Sequence, residues 1–239
     1  MRSTQICRAC GQPITGDYVE INGTGTYCQT CHRDRFPCDV CSAPLTDEQW
    51  RLSDGRLSCA FCHATAIYDP QEASDLYEEM KEAANQTLGL HLNIPTGLAL
   101  VDRLQLAEII RQQSQAENNR DDSEELDPNK TLGIYTRRGI RRGIYVQTGL
   151  PRTLLLQIAA HEFAHAWQGE NCPLLRDPVL HEGFAEWVAY HILGHYGCSQ
   201  QQNLMISRPD IYGRGLDWAL DLDSKEGARG VINACLNAR

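Results

Sequence analysis

The sequence of 239 residues predicts an α+β fold: a cysteine-rich, zinc-held module of short β-hairpins, followed by a mostly helical domain with a small sheet. Eight of the 11 cysteines form four Cys-x2-Cys pairs before residue 63, and this is the spacing of zinc ligands. From residue 70 onward, apolar residues recur at helical spacing. Short runs of Val, Ile and Tyr bounded by Gly and Pro mark a few strands. Three segments are expected: the zinc module over 1–66, a connecting amphipathic helix over 67–90, and the larger domain over 91–239.

In the module, Cys7-x2-Cys10 is followed after seventeen residues by Cys28-x2-Cys31, and Cys38-x2-Cys41 after another seventeen by Cys59-x2-Cys62. Equal spacing favours two sequential tetrahedral sites over an interleaved pairing. Four thiolates fill a zinc shell and leave no position for water, so both zincs are expected to be structural. His32 and His63 each follow a ligand cysteine and read as surface residues. Cys172, Cys198 and Cys235 stand outside the pattern and read as buried free thiols.

The helix over 70–88 rests on Ala73, Leu76, Tyr77, Met80, Ala83 and Ala84, with acidic residues between them. A strand is expected over 94–101 and a helix over 103–113. The polar, acidic stretch 114–130 reads as a solvated loop, with a mobile lid as the bolder alternative. A strand over 143–147 and a turn at Gly149-Leu150-Pro151 lead into a long helix over 152–169. Another helix is expected over 178–193, with Phe184, Trp187, Val188 and Ile192 on its buried side.

The composition narrows the function classes. The first residues hold no apolar stretch resembling a signal peptide, and no window approaches the roughly 18 apolar residues of a membrane span. A cytoplasmic, reducing location is expected, because zinc-type cysteine spacing implies reduced thiols. A net charge of −9 and a pI near 5.3 argue against nucleic acid or an anionic membrane as partner, since both require a basic face.

The chemistry concentrates in His161-Glu162-Phe163-Ala164-His165. Two histidines four apart on a helix share a face and reach one zinc ion, and the intervening Glu162 is placed to act as general base. The apolar surroundings (Leu154, Leu155, Ile158, Phe163, Trp167) would bury this helix and hold its ligands rigid. Downstream, His181-Glu182-Gly183-Phe184-Ala185-Glu186 offers a carboxylate as third ligand. Two His, one Glu and an open position form a hydrolytic zinc site rather than a structural one. The rival reading is a non-catalytic zinc adaptor whose helical domain only binds a partner. Among other candidates, Tyr212 reads either as a donor for an oxyanion or as a packed tyrosine before a glycine turn, His191 and His195 read as solvated or hydrogen-bonded, and His181 is expected to point away from the site.

Glu182-Gly183-Phe184-Ala185-Glu186 is similar to the downstream helix of gluzincin peptidases. That resemblance selects Glu182 as third ligand, makes Glu186 an outer partner, and implies an edge strand for substrate backbone, expected at 144–147. More specifically, residues 94–220 resemble the peptidase domain of the DA1 family. The matching stretches are Ile94-Pro95, Leu100-Val101-Asp102-Arg103, Gly149-Leu150-Pro151-Arg152, the zinc motif through Trp167, Glu182-Gly183 and Tyr212-Gly213. Gly11-Gln12-Pro13-Ile14 and Tyr27-Cys28 resemble pieces of LIM domains. The module nevertheless lacks the usual His in its first site and has six residues between sites instead of two, so it is read as LIM-like. The resemblance implies a zinc endopeptidase with one catalytic and two structural zincs, acting on protein or peptide substrates. It also implies ubiquitin or a ubiquitin-like regulator as a partner, although no ubiquitin-interacting helix is evident.

Overall fold

A computed structural model of the chain describes residues 5–21, 23–117, 130–206 and 208–238. The described residues divide into two compact units, one comprising residues up to Ile67 with Gly149–Arg152, the other Tyr68–Thr148 with Thr153 onward.

The first unit repeats one plan twice. A cysteine knuckle precedes the hairpin β1 (Tyr18–Ile21) and β2 (Gly25–Cys28), and a second knuckle opens the short helix α1 (Gln29–Asp34). The second copy has β3 (Gln49–Arg51), β4 (Leu57–Cys59) and α2 (Ala60–Ala64). Its hairpin turns at Gly55, whose φ of 86° suits a residue without Cβ. The buried Arg56–Asp54 ion pair braces that turn at 2.8 Å. The cores are small and built around sulfur: Cys7, Tyr27, Cys31 and Ala43 in one, Cys38, Leu45 and Cys62 in the other. So little apolar surface does not hold a fold of this size without a cross-link or metal. Within the same unit, β5 (Ala66–Ile67) pairs antiparallel with β9 (Leu150–Pro151).

In the second unit, α3 (Pro70–Leu88) has the predicted bounds, for local reasons. Asp69 accepts from the backbone N–H groups of Gln71 and Glu72, Pro70 fits the first turn, and Gly89 closes the helix at φ 69°. Its predicted apolar face, Ala73 to Ala84, is buried. Strand β6 (Gly97–Val101) leads into α4 (Arg103–Glu117), which is capped reciprocally by Asp102 and Gln105. Residues 114–117, expected as part of a loop, are thus helical, and the rest of that expected loop or lid, 118–129, lies outside the described residues.

Strands β7 (Gly133–Arg138) and β8 (Arg141–Gln147) form a hairpin, and β6 runs parallel to β8, giving the order β6-β8-β7. This corrects the expectation that 144–147 is an edge strand: β8 is paired on both sides, and the edges are β6 and β7. Helices α5 (Arg152–Asn171) and α6 (Pro178–His195) are buried on most of their circumference, as their nearly continuous apolar runs require. Three further helices follow: α7 (Ser199–Ile206), α8 (Ile211–Glu226) and α9 (Ala228–Asn237). Helices α6 and α8 meet backbone to backbone at Gly183 and Gly215, where any side chain would collide. No helix of the described residues is long and apolar enough to cross a membrane.

Candidate metal centres

Cys7, Cys10, Cys28 and Cys31 converge in one group, and Cys38, Cys41, Cys59 and Cys62 in another, with the ligand atoms of each group within 4.8 Å of one another. This is the sequential pairing. Backbone N–H groups already point at the sulfurs, from Cys28 to Cys7 Sγ at 3.3 Å and from Cys59 to Cys38 Sγ at 3.4 Å. Burial opposes ionisation of Cys7, yet the N–H groups of Cys28, Cys10 and Ala9 outweigh it and lower its thiol to about 6. Both clusters thus fit structural zinc. His63 stacks on Trp50 with ring centroids 4.4 Å apart, and His32 is exposed; neither joins a sulfur cluster.

A third group draws on α5 and α6. His161 and His165, one turn apart, bring their Nε2 atoms within 2.9 Å of each other. Glu182 places Oε2 at 3.3 Å from His161 Nε2 and 3.5 Å from His165 Nε2. A carboxylate and an amide oxygen lie behind the two rings. His161 Nδ1 faces Glu186 Oε1 at 3.1 Å. His165 Nδ1 faces Gln168 Oε1 at 2.9 Å, the amide being oriented by Nε2 donating to the His181 carbonyl. The Gln168 contact favours the His165 tautomer with its proton on Nδ1, which leaves Nε2 free to ligate, while His161 Nδ1 stands opposite the Glu186 carboxylate without a hydrogen bond.

His161 Nε2, His165 Nε2 and the otherwise unpartnered carboxylate oxygen Glu182 Oε2 lie within 4.8 Å of one another. Their separations approach the roughly 3.3 Å expected between ligands of a tetrahedral shell with bonds near 2.0 Å. The field favours a cation there. Burial alone would strip charge from His161, but Glu182 and Glu186 reverse this and raise its pKa well above the usual imidazole value. Burial likewise opposes the Glu182 carboxylate, and the histidines hold it well below the usual carboxylate range. The donor set thus fits a dication such as zinc.

Glu162 is buried, and its Oε2 accepts the Tyr135 N–H of β7 at 2.7 Å. This close approach of β7 to α5 depends on Gly133, where a Cβ would lie 2.4 Å from Ile158 Cγ2 and 3.2 Å from Glu162 Cγ. Tyr212, in the first turn of α8, sits with its ring 6.0 Å from that of His161. The Arg208 guanidinium lies 4.7 Å over the Tyr212 ring and 3.7 Å from Glu186 Oε1. His181 does not point away as expected: its ring stacks on His165 at 4.4 Å, and its Nδ1 is 3.2 Å from Glu182 Oε1. His191 is hydrogen-bonded, as one of the two expected readings has it, to Asp223 at 2.8 Å, and His195 packs edge-on against Tyr196, apart from the metal cluster.

Sequence reasoning missed Gln168, Arg208 and the Tyr135 N–H. Gln168 follows His165 by one helical turn, which is a usable signal. The other two depend on elements that the sequence leaves unassigned.

The LIM domain family model matches residues 7–67, so the first unit contains a LIM domain despite its all-cysteine first site and longer spacer. Over most of its length the chain is homologous to DA1-family proteins. Protein DA1-related 1 of Arabidopsis thaliana is 28% identical over 233 residues, covering 85% of this chain and 40% of that protein. LIM domain-containing protein HDR3 of Oryza sativa subsp. japonica is 29% identical over 167 residues, 59% of this chain and 33% of its own length. Protein DA1 of Arabidopsis thaliana is 22% identical over 231 residues, 67% and 42% respectively. The chain thus spans less than half the length of these relatives. No solved structure matches it.

Proposed function

We propose that this LIM-domain homologue of the DA1 proteins is a zinc-dependent endopeptidase acting on protein substrates. The observation that carries the reading is the convergence of His161 Nε2, His165 Nε2 and Glu182 Oε2, with the buried Glu162 next to His161 in α5. His161, His165 and Glu182 would hold a zinc ion, which when bound would supply Lewis acidity toward a peptide carbonyl and a water. Glu162 takes the proton of the attacking water and passes it to the leaving amine. Its Oε2 is anchored by the Tyr135 N–H, which leaves Oε1 as the oxygen that carries the proton.

Gln168 keeps His165 in the tautomer that binds metal, and the Glu186 carboxylate faces His161 Nδ1. Tyr212 is assigned as a donor to the oxyanion that develops on the attacked carbonyl. The preference for protein substrates rests on the DA1 resemblance, as does a role for the LIM domain in recruiting them or restraining activity. The test is Glu162→Gln. Cleavage of an unfolded protein substrate should fall by about 10²–10⁴-fold, with zinc content unchanged. Full activity in the variant would remove Glu162 from the chemistry.

A further inference from the structure

We propose that Cys172 and Cys235 form a redox site, a pair of thiols that closes to a disulfide and thereby weakens the hold on His165. Cys172 directly follows α5 and Cys235 lies in α9, with their sulfurs 3.4 Å apart. Both are buried, Cys172 with 7% of its surface exposed and Cys235 with none. The gap to a bonded S–S distance of about 2.0 Å is roughly 1.4 Å, within the reach of side-chain rotation and a small shift of the C-terminal helix. The functional reading uses neither residue.

What makes the pair more than core packing is its neighbour. Gln168 Nε2 approaches Cys235 Sγ at 3.7 Å while donating to the His181 carbonyl, and Gln168 Oε1 holds His165 Nδ1. One amide therefore touches the sulfur pair, the backbone beside Glu182 and a ring of the proposed zinc site. Drawing Cys235 Sγ toward Cys172 withdraws one of the contacts that hold this amide.

The oxidant is a hydroperoxide. The thiolate of Cys172, the more accessible of the two, attacks the peroxide oxygen, the O–O bond breaks, and water or an alcohol departs to leave a sulfenic acid. The Cys235 thiolate then displaces that hydroxyl as water and forms the S–S bond. In total, two thiol hydrogens and two electrons pass to the peroxide, and a dithiol reductant reverses the change.

The test treats the zinc-loaded full chain with graded hydrogen peroxide, blocks remaining thiols and maps the peptides. The expected result is a Cys172–Cys235 cross-linked peptide that grows with peroxide and disappears on reduction. Recovery of both cysteines as free thiols at doses that oxidise the more exposed Cys198 would overturn the site. The coupling rests on the zinc reading above, so it is measured separately as zinc affinity against a chelator. Oxidation should lower that affinity about tenfold in the wild type and leave Cys235→Ala unchanged. A cross-link formed with unaltered affinity would overturn the coupling alone. A reduced wild type with no zinc at His161 and His165 would overturn the zinc reading and the coupling, while the cross-link result stands on its own.

Discussion

Gly183→Ala sets two effects of opposite sign against each other next to the proposed ligand Glu182. In an ordinary exposed helix, replacing Gly by Ala stabilises by about 1 kcal/mol. Here the new Cβ would lie 2.5 Å from the Gly215 carbonyl oxygen and 2.7 Å from the Gly215 Cα. Both atoms are α8 backbone, which no rotamer change can move. Ordinary contact begins at 3.4 Å, so α6 and α8 must part by nearly 1 Å. Overpacking of this kind costs about 1–3 kcal/mol or more, and the net expectation is destabilisation by roughly 1–2 kcal/mol. For a unit of this size that lowers Tm by about 2–8 °C. Thermal unfolding followed by circular dichroism, with wild type and variant in the same zinc buffer, reads this directly. Because α6 also carries Glu182, zinc affinity should fall with it. A Tm equal to or above that of wild type would refute the close helix contact as the reason for glycine at 183.

Two other expectations follow from the site and its frame. Tyr212→Phe should lower the cleavage rate by about 10²-fold or more while leaving zinc content intact; equal rates would make Tyr212 a packing residue. Glu170 is held below the usual carboxylate range chiefly by its hydrogen bond to Arg142, against a smaller effect of burial. A carboxylate with a depressed folded pKa stabilises above its unfolded pKa and loses that contribution as pH falls through the folded value. Wild type should therefore exceed Glu170→Gln in stability at neutral pH by roughly 1 kcal/mol, and the difference should fade on acidification below the usual carboxylate range. A difference independent of pH would contradict the ion pair.

What the sequence makes legible follows from how local each constraint is. The cysteine pairs are readable because a tetrahedral metal shell imposes short, fixed spacings, and their equal separation anticipates the two groups that assemble. Helix α3 is readable because its cap, apolar stripe and terminal glycine lie within one segment. The motif at 161–165 and Glu182 come together because i and i+4 share a face and α6 supplies the carboxylate. Strand β7 goes unassigned in the sequence because Arg137, Arg138 and Gly139 interrupt its short apolar stretch, and with it goes the backbone donor to Glu162. Which strand lies at the edge depends on long-range pairing, so β8 was misread. The Cys172–Cys235 contact spans 63 positions and has no local signature. Nor does spacing reveal that His181 turns back onto His165, since adjacent helical positions ordinarily face apart.

The third metal centre carries the proposed chemistry, and zinc content per chain tests it most directly. Wild type purified in zinc and freed of loosely bound metal should carry three zincs, two in the cysteine clusters and one at the histidines. The His161→Ala, His165→Ala double variant should retain two with its LIM domain folded. A folded wild type that carries only two zincs in zinc-supplemented buffer would contradict the account and leave the helix motif without a metal to act through.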